Sequence, residues 1–202
     1  MSGTWVGIIK ELLSDLKDSR SCLVWLKGSP GSGKLAIMKS ICIELCADKI
    51  PVVLFFFNKN GSRAHTSLVE RFVAMIAHQL ARISNEFSKV LAELDLEESL
   101  RNISKAEQLE ELVISPASRV KWSPQVVLVL DVPDECRGQH ALKELMELAR
   151  KLLQLPPAFA ILILSKTSSE VYLPGTTVWM ILTLKRMNEL SYDAVFLISL
   201  MS

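Results

Sequence analysis

The chain has 202 residues, half of them hydrophobic, with 23 lysines and arginines against 22 aspartates and glutamates and a net charge of +1. That is enough apolar material for one full core, and the evenly mixed charges leave no basic stripe for a nucleic-acid backbone. No apolar run reaches the roughly 18 to 20 residues of a membrane-spanning helix, and the N-terminus lacks the basic start and apolar run of a signal peptide, so a cytoplasmic protein is expected.

Trp5, Ile8, Ile9, Leu12, Leu13 and Leu16 recur at helical spacing, which predicts an amphipathic helix within residues 1–20. Cys22-Leu23-Val24-Trp25-Leu26 is then a β-prone apolar run. It leads into Gly28-Ser29-Pro30-Gly31-Ser32-Gly33-Lys34, which has the G-x-x-x-x-G-K spacing of a phosphate-binding loop. Such a loop needs glycines so that the backbone can turn tightly and aim successive N–H groups at a phosphate, and its lysine adds a point charge. The next residue, Leu35, stands where a serine or threonine hydroxyl would ligate magnesium. From Leu35 to Cys46 there is no glycine or proline, and Ile37, Ile41 and Leu45 recur at helical spacing. A helix therefore begins at the loop, with its N-terminal N–H groups and dipole facing a bound anion.

Pro51 to Phe57 reads as a strand buried on both faces, ending in the turn Asn58-Lys59-Asn60-Gly61. Thr66 to Ile83 predicts a helix with Leu68, Phe72, Met75, Ile76 and Leu80 on one stripe. The charged, glycine-free stretch from Asn85 to Val113 predicts two or three short helices joined near Glu97 to Lys105. Val126 to Leu130 is a further buried strand closing on Asp131. A helix from Ala141 to Leu155, a strand from Phe159 to Leu164 after the Pro156-Pro157 break, a strand from Val178 to Leu184 and a short helix from Asn188 or Ser191 complete the series. Alternation of strands and helices implies an α/β fold, a three-layer α/β/α sandwich around a mainly parallel five-stranded sheet. Cys22, Cys42, Cys46 and Cys136 form no CxxC pair and read as reduced, mostly buried thiols. Cys42 and Cys46 lie four apart, but no third or fourth metal ligand is near in sequence, so core packing is expected of them.

In a parallel sheet ligands sit at the carboxyl ends of the strands. Three of those ends carry suitable groups: the glycine-rich loop, the block Asp131-Val132-Pro133-Asp134-Glu135-Cys136, and Ser165-Lys166. Asp131 suits magnesium, usually held through water, and Glu135 suits orienting or deprotonating an attacking water. The plainer alternative is that Asp131 caps a turn while Asp134 and Glu135 are solvated loop charges. Ser165 or Lys166 can reach a γ-phosphate, and a strand-end lysine is as often an ordinary surface residue. Trp5 and Tyr172 read as core or surface residues and are not assigned to a base.

Leu26 to Lys34, Phe55-Phe56-Phe57, Ile76-Ala77-His78-Gln79-Leu80, Leu130 to Cys136 and Ile161 to Lys166 together resemble the NACHT-type nucleotide-binding domain. The version they resemble is that of fungal NOD-like receptors, related to nephrocystin-like N-terminal domains, over about Trp5 to Asp193. The resemblance implies a STAND-class P-loop NTPase, similar in fold to AAA+ modules, that switches between an ADP-bound closed state and an ATP-bound open one. It also implies that Gly28, Ser29, Pro30, Gly31, Ser32, Gly33, Lys34 and Leu35 form the Walker A loop, Asp131 is the Walker B magnesium residue, Asp134 and Glu135 are the acidic pair behind it, and Lys166 is the sensor.

Three positions depart from that pattern: Leu35 replaces the magnesium-binding hydroxyl, Lys166 stands where the family usually has arginine, and Pro133 where it usually has leucine. Lysine keeps the charge and loses the bidentate fork. Magnesium retains several waters, so loss of one hydroxyl weakens hydrolysis more than binding. The expected activity is an ATP/ADP-binding switch with a weakened Mg2+ site and slow or absent hydrolysis, acting through protein partners or self-association and not on nucleic acid or membranes. A single domain is expected, residues 1–20 forming the N-terminal helix and 21–202 the P-loop core, without winged-helix or repeat regions. The alternatives are a scaffold that binds no nucleotide and a small P-loop metabolite kinase, the latter disfavoured by the absence of a basic lid cluster between Asn85 and Val113.

Overall fold

The computed structural model describes residues 5–17, 22–56, 66–94, 103–131, 147–165 and 180–184. Five strands, β1 (Cys22–Gly28), β2 (Val52–Phe56), β3 (Val126–Asp131), β4 (Phe159–Ser165) and β5 (Met180–Leu184), form one sheet in the order β2-β3-β4-β1-β5. Every neighbouring pair is parallel. The aliphatic runs behind these strands suit a sheet covered on both faces, and β3 and β4 are buried through Val126–Leu130 and Phe159–Ser165.

Side chains alternate across each strand and sort into two cores. On one face, Leu23 and Trp25 of β1, Phe55 of β2, Leu128 and Leu130 of β3, and Ile161 and Ile163 of β4 meet Phe72, Ile76, Leu80 and Phe87. These last four come from α3 (Thr66–Ile83) and α4 (Asn85–Ala92). Phe55 and Phe72 pack edge to face at 4.9 Å and 85°, a geometry worth about 0.5–1.5 kcal/mol beyond area burial. On the other face, Val24, Leu26, Val127, Val129, Leu162 and Leu164 meet α1 (Val6–Lys17) and α2 (Lys34–Ala47), through Leu12 and Leu16 and through Ile37, Ile41 and Leu45.

Helices α1 and α2 run side by side in the same direction. The Trp5 indole lies beside Gly33 at the start of α2, and Lys17 at the end of α1 pairs with Asp48 just past the end of α2. Their lengths match this arrangement, 12 residues against 14, or about 18 Å against 21 Å at 1.5 Å per residue. Helix α2 is apolar on more than its buried side: Leu35 and Ile43 are exposed, Cys42 is partly buried against the core, and Cys46 is exposed instead of buried as expected. The buried stripe Ile37, Met38, Ile41 and Leu45 already fills the contact with the sheet, which leaves Cys46 on the outer side.

Helix α3 follows its predicted span, but its inward stripe is Phe72, Val73, Ile76, Ala77 and Leu80, and Met75 is exposed. Met75 stands about 100° around the axis from Ile76, outside a stripe that the i, i+4 spacing from Phe72 centres elsewhere. The third helical piece extends past Val113. It comprises α5 (Lys105–Leu109), a π-helical turn at Glu110–Ile114 and α6 (Ser115–Ser118). Ser104 and Glu107 close a capping box at its start. Pro116 lacks an N–H and its ring would strike the carbonyl four residues back; the wider π turn ahead of it makes room. Residues 147–152 are helical within the predicted Ala141–Leu155 segment. The turn at Asn58–Gly61 and the helix expected from Asn188 lie outside the described residues.

Candidate functional site

In the sheet the strand that follows β1 in the chain, β2, lies on the far side of β4 and β3, whereas the strand that follows β4, β5, lies on the far side of β1. Neighbouring strands whose connections part in opposite directions open a crevice at their carboxyl ends. The glycine-rich loop lies at that point.

Gly28 ends β1 and Lys34 begins α2, so five residues turn the chain from strand to helix. Gly31 at φ +77° and Gly33 at φ +88° hold the left-handed conformation that a side chain disfavours. The Ser32 N–H donates to the Ser29 carbonyl at 3.1 Å, and the Ile37 N–H to the Gly33 carbonyl at 3.0 Å, the first bond of the helix. Gly33 is the N-cap and no side chain caps it, so the N–H groups of the first helical turn carry no intrahelical partner and face the mouth of the loop. No acidic residue stands in that turn to neutralise the pole. The Lys34 ammonium folds back onto the loop, donating to the carbonyls of Gly28 and, at 3.1 Å, of Ser29.

Ser32 decides whether a phosphate fits. Its side chain is 3 % exposed and its Oγ has no hydrogen-bond partner among the described residues. A buried hydroxyl without a partner is costly, and an anion in the loop would supply one. For magnesium the donor set is thinner. Leu35 offers no oxygen and projects its side chain outward, 58 % exposed. Asp131 ends β3 half-buried, and by alternation with Val127 and Val129 it belongs to the sheet face covered by α2. Strand β4 stands between Asp131 and β1, and Asp131 is level with Leu164 of β4 and through it with Leu26 of β1, so its backbone is two strand spacings, about 10 Å, from Leu26. That separation leaves room for phosphate, metal and water.

Ser165 does not fit the role of a phosphate reader. Its hydroxyl is buried on the opposite sheet face, where Oγ accepts a 2.7 Å hydrogen bond from Trp25 Nε1. Lys27 covers the same indole, its ammonium 4.4 Å from the ring centroid. Glu135, Lys166, Pro133, Asp134 and Tyr172 lie outside the described residues. One neighbour of the loop escaped the sequence reading: a Cβ on Gly33 would meet Trp5 Nε1 at 3.7 Å, Cε2 at 3.8 Å and Cζ2 at 3.9 Å. The helical periodicity marks Trp5 as apolar, but only the parallel course of α1 and α2 brings it to the loop.

A sequence profile described as nephrocystin 3, N-terminal, matches residues 2–166. No curated protein matches the chain. Among solved structures, the Aeropyrum pernix ORC1 protein in complex with DNA is similar with a TM-score of 0.50 at 14% identity, over 91% of this chain and 46% of that one. Drosophila ORC bound to poly(dA/dT) DNA and Cdc6 is similar with a TM-score of 0.50 at 12% identity, over 90% of this chain and 29% of that one. At such identities the likeness is one of fold, and the chain spans less than half the length of either structure.

Proposed function

Since the chain belongs to the nephrocystin 3 N-terminal family and has a NACHT-like P-loop NTPase fold, we propose that it is an ATP/ADP-binding switch module with weak or absent hydrolysis. The observation that carries this reading is the buried, unpartnered Ser32 hydroxyl inside a loop whose glycines are set to receive an anion. In this scheme the backbone from Gly28 to Leu35 and the Lys34 ammonium hold the phosphates. Asp131 would hold Mg2+, Glu135 would position a water for hydrolysis, and Lys166 would sense the terminal phosphate. Leu35 supplies no metal ligand, so phosphates are gripped while the metal is poorly placed, which costs catalysis more than affinity.

Residues 1–20 and 21–202 work as one unit in the cytoplasm, through protein partners or self-association. No helix among the described residues is long and apolar enough to cross a membrane. Nucleic acid is not its partner in this scheme, because charges of both signs are interspersed along the chain and form no basic stripe.

Thermal unfolding with ADP, ATP and ATP plus magnesium tests the reading, beside a Lys34→Ala control. A ligand at about 100 times its dissociation constant adds roughly 2.7 kcal/mol, or about 5–11 °C for a domain of this size. The expected result is a shift in the native chain that the control lacks. A cooperatively folded chain with no shift would identify a scaffold that no longer binds nucleotide.

A further inference from the structure

We propose that Trp5 forms the apolar wall of the nucleotide site and stacks the base, an inference that rests on the nucleotide-binding reading above. Three observations support it. First, the parallel packing of α1 against α2 sets the start of one helix beside the start of the other, and the residue delivered there is a tryptophan. Second, the three atoms nearest a Cβ placed on Gly33, the residue that opens α2, all belong to the Trp5 indole. Third, the apolar character continues into solvent: Trp5 is only partly buried against the α1/α2 core, Val6 beside it in sequence is 48 % exposed, and Leu35 two residues after Gly33 is 58 % exposed.

A partly exposed indole beside a charged loop offers a flat apolar surface on which a ring can stack. One end of the site is cationic and lined by N–H groups, and the other is aromatic and aliphatic. A ligand complementary to both carries phosphate at one end and a flat, weakly polar ring at the other. Inorganic phosphate or pyrophosphate satisfies only the loop. A planar ring stacks on indole with little regard to its hydrogen-bonding edge, so Trp5 contributes affinity for nucleotides as a class and no preference between ATP and GTP.

Titration calorimetry of the full chain separates the two ends of the site, using ADP and inorganic pyrophosphate as probes against wild type, Trp5→Ala and Trp5→Phe. Removing a stacking platform weakens ADP by roughly 5- to 150-fold, while pyrophosphate stays within about twofold; the phenylalanine variant, which keeps a ring, recovers most of the ADP affinity. Equal weakening of both probes would assign Trp5 to shaping the loop and overturn the proposal, as would unchanged ADP binding by Trp5→Ala. If the alanine variant does not fold, the difference in emission between wild type and Trp5→Phe decides. ADP alters it and pyrophosphate does not; an emission difference indifferent to ADP refutes stacking. A wild-type chain that binds neither probe removes the nucleotide reading itself, and one that binds ADP without help from Trp5 removes only this inference.

Discussion

Replacing Ser32 by alanine should make the free protein more stable and the liganded protein less so. Ser32 Oγ is buried without a partner, although the Ser32 backbone N–H is satisfied by Ser29. An unmade hydrogen bond at a buried hydroxyl costs about 1–3 kcal/mol. Alanine deletes that polar atom and keeps the Cβ, so the nucleotide-free chain should gain about 1–2 kcal/mol, or roughly 2–8 °C in Tm. In the nucleotide-bound form proposed above, the same hydroxyl would donate to a phosphate oxygen, a charge-assisted bond worth about 1.5–3 kcal/mol. ADP affinity should therefore fall about 10- to 150-fold. The assay is thermal unfolding of both proteins, stripped of nucleotide and then titrated with ADP, so that the two melting curves cross in order as ligand is added. A variant that melts below wild type without ligand, or that keeps the full ADP shift, would refute the reasoning and place a water or a protein group on Ser32.

Leu35→Thr alters an exposed side chain, so unfolding of the free protein should move by less than about 0.5 kcal/mol. Magnesium should then add to nucleotide stabilisation and raise phosphate release; an identical magnesium response in both proteins would sink the role given to Leu35. Gly31→Ala and Gly33→Ala should each lose about 1–2 kcal/mol in urea unfolding through left-handed backbone strain, and equally, because the new Cβ at 33 reaches Trp5 only at van der Waals distance. Gln79→Ala should cost about 1–2 kcal/mol and leave ADP affinity intact. Its amide makes two hydrogen bonds, accepting from the Leu54 N–H at 3.1 Å and donating to the Leu54 carbonyl at 2.9 Å, on the edge strand β2. Hydrogen bonds from the Ser104 hydroxyl and backbone hold the Glu107 carboxyl below its ordinary range. Its contribution is therefore full above that range and fades as pH falls through the lowered value, so the loss of stability on acidification should be smaller in Glu107→Gln.

The strands were legible because each is a β-prone apolar run and a parallel sheet demands burial on both faces. What such runs lack is any mark of neighbour. Nothing in Val126–Asp131 or Phe159–Ser165 says that β4 is inserted between β3 and β1, and that insertion sets the distance between Asp131 and the loop. The loop itself was legible through its glycine spacing, since φ near +80° is a backbone requirement that composition records. The burial of Ser32, the hydrogen bond that turns Ser165 inward to Trp25, and the arrival of Trp5 at Gly33 depend on packing between distant segments. Met75 and Cys46 were misplaced for a related reason: a helix rich in apolar residues offers several candidate stripes, and only the partner surface selects one.

The pairing of β1 has a consequence for how the chain is made. Within the sheet β1 touches β4 and β5 alone, and Trp25 is hydrogen-bonded to a residue 140 positions later. At synthesis rates of about 5–20 residues per second, the first strand leaves the ribosome roughly 7 to 28 s before β4 exists to receive it. During that interval helices can cover both faces of the strand, α1 and α2 over Val24 and Leu26 and α3 and α4 over Leu23 and Trp25, but both backbone edges stay open. The strand that leads into the glycine-rich loop is thus made before either of its sheet neighbours, and in that interval its open edges are exposed to wrong pairing.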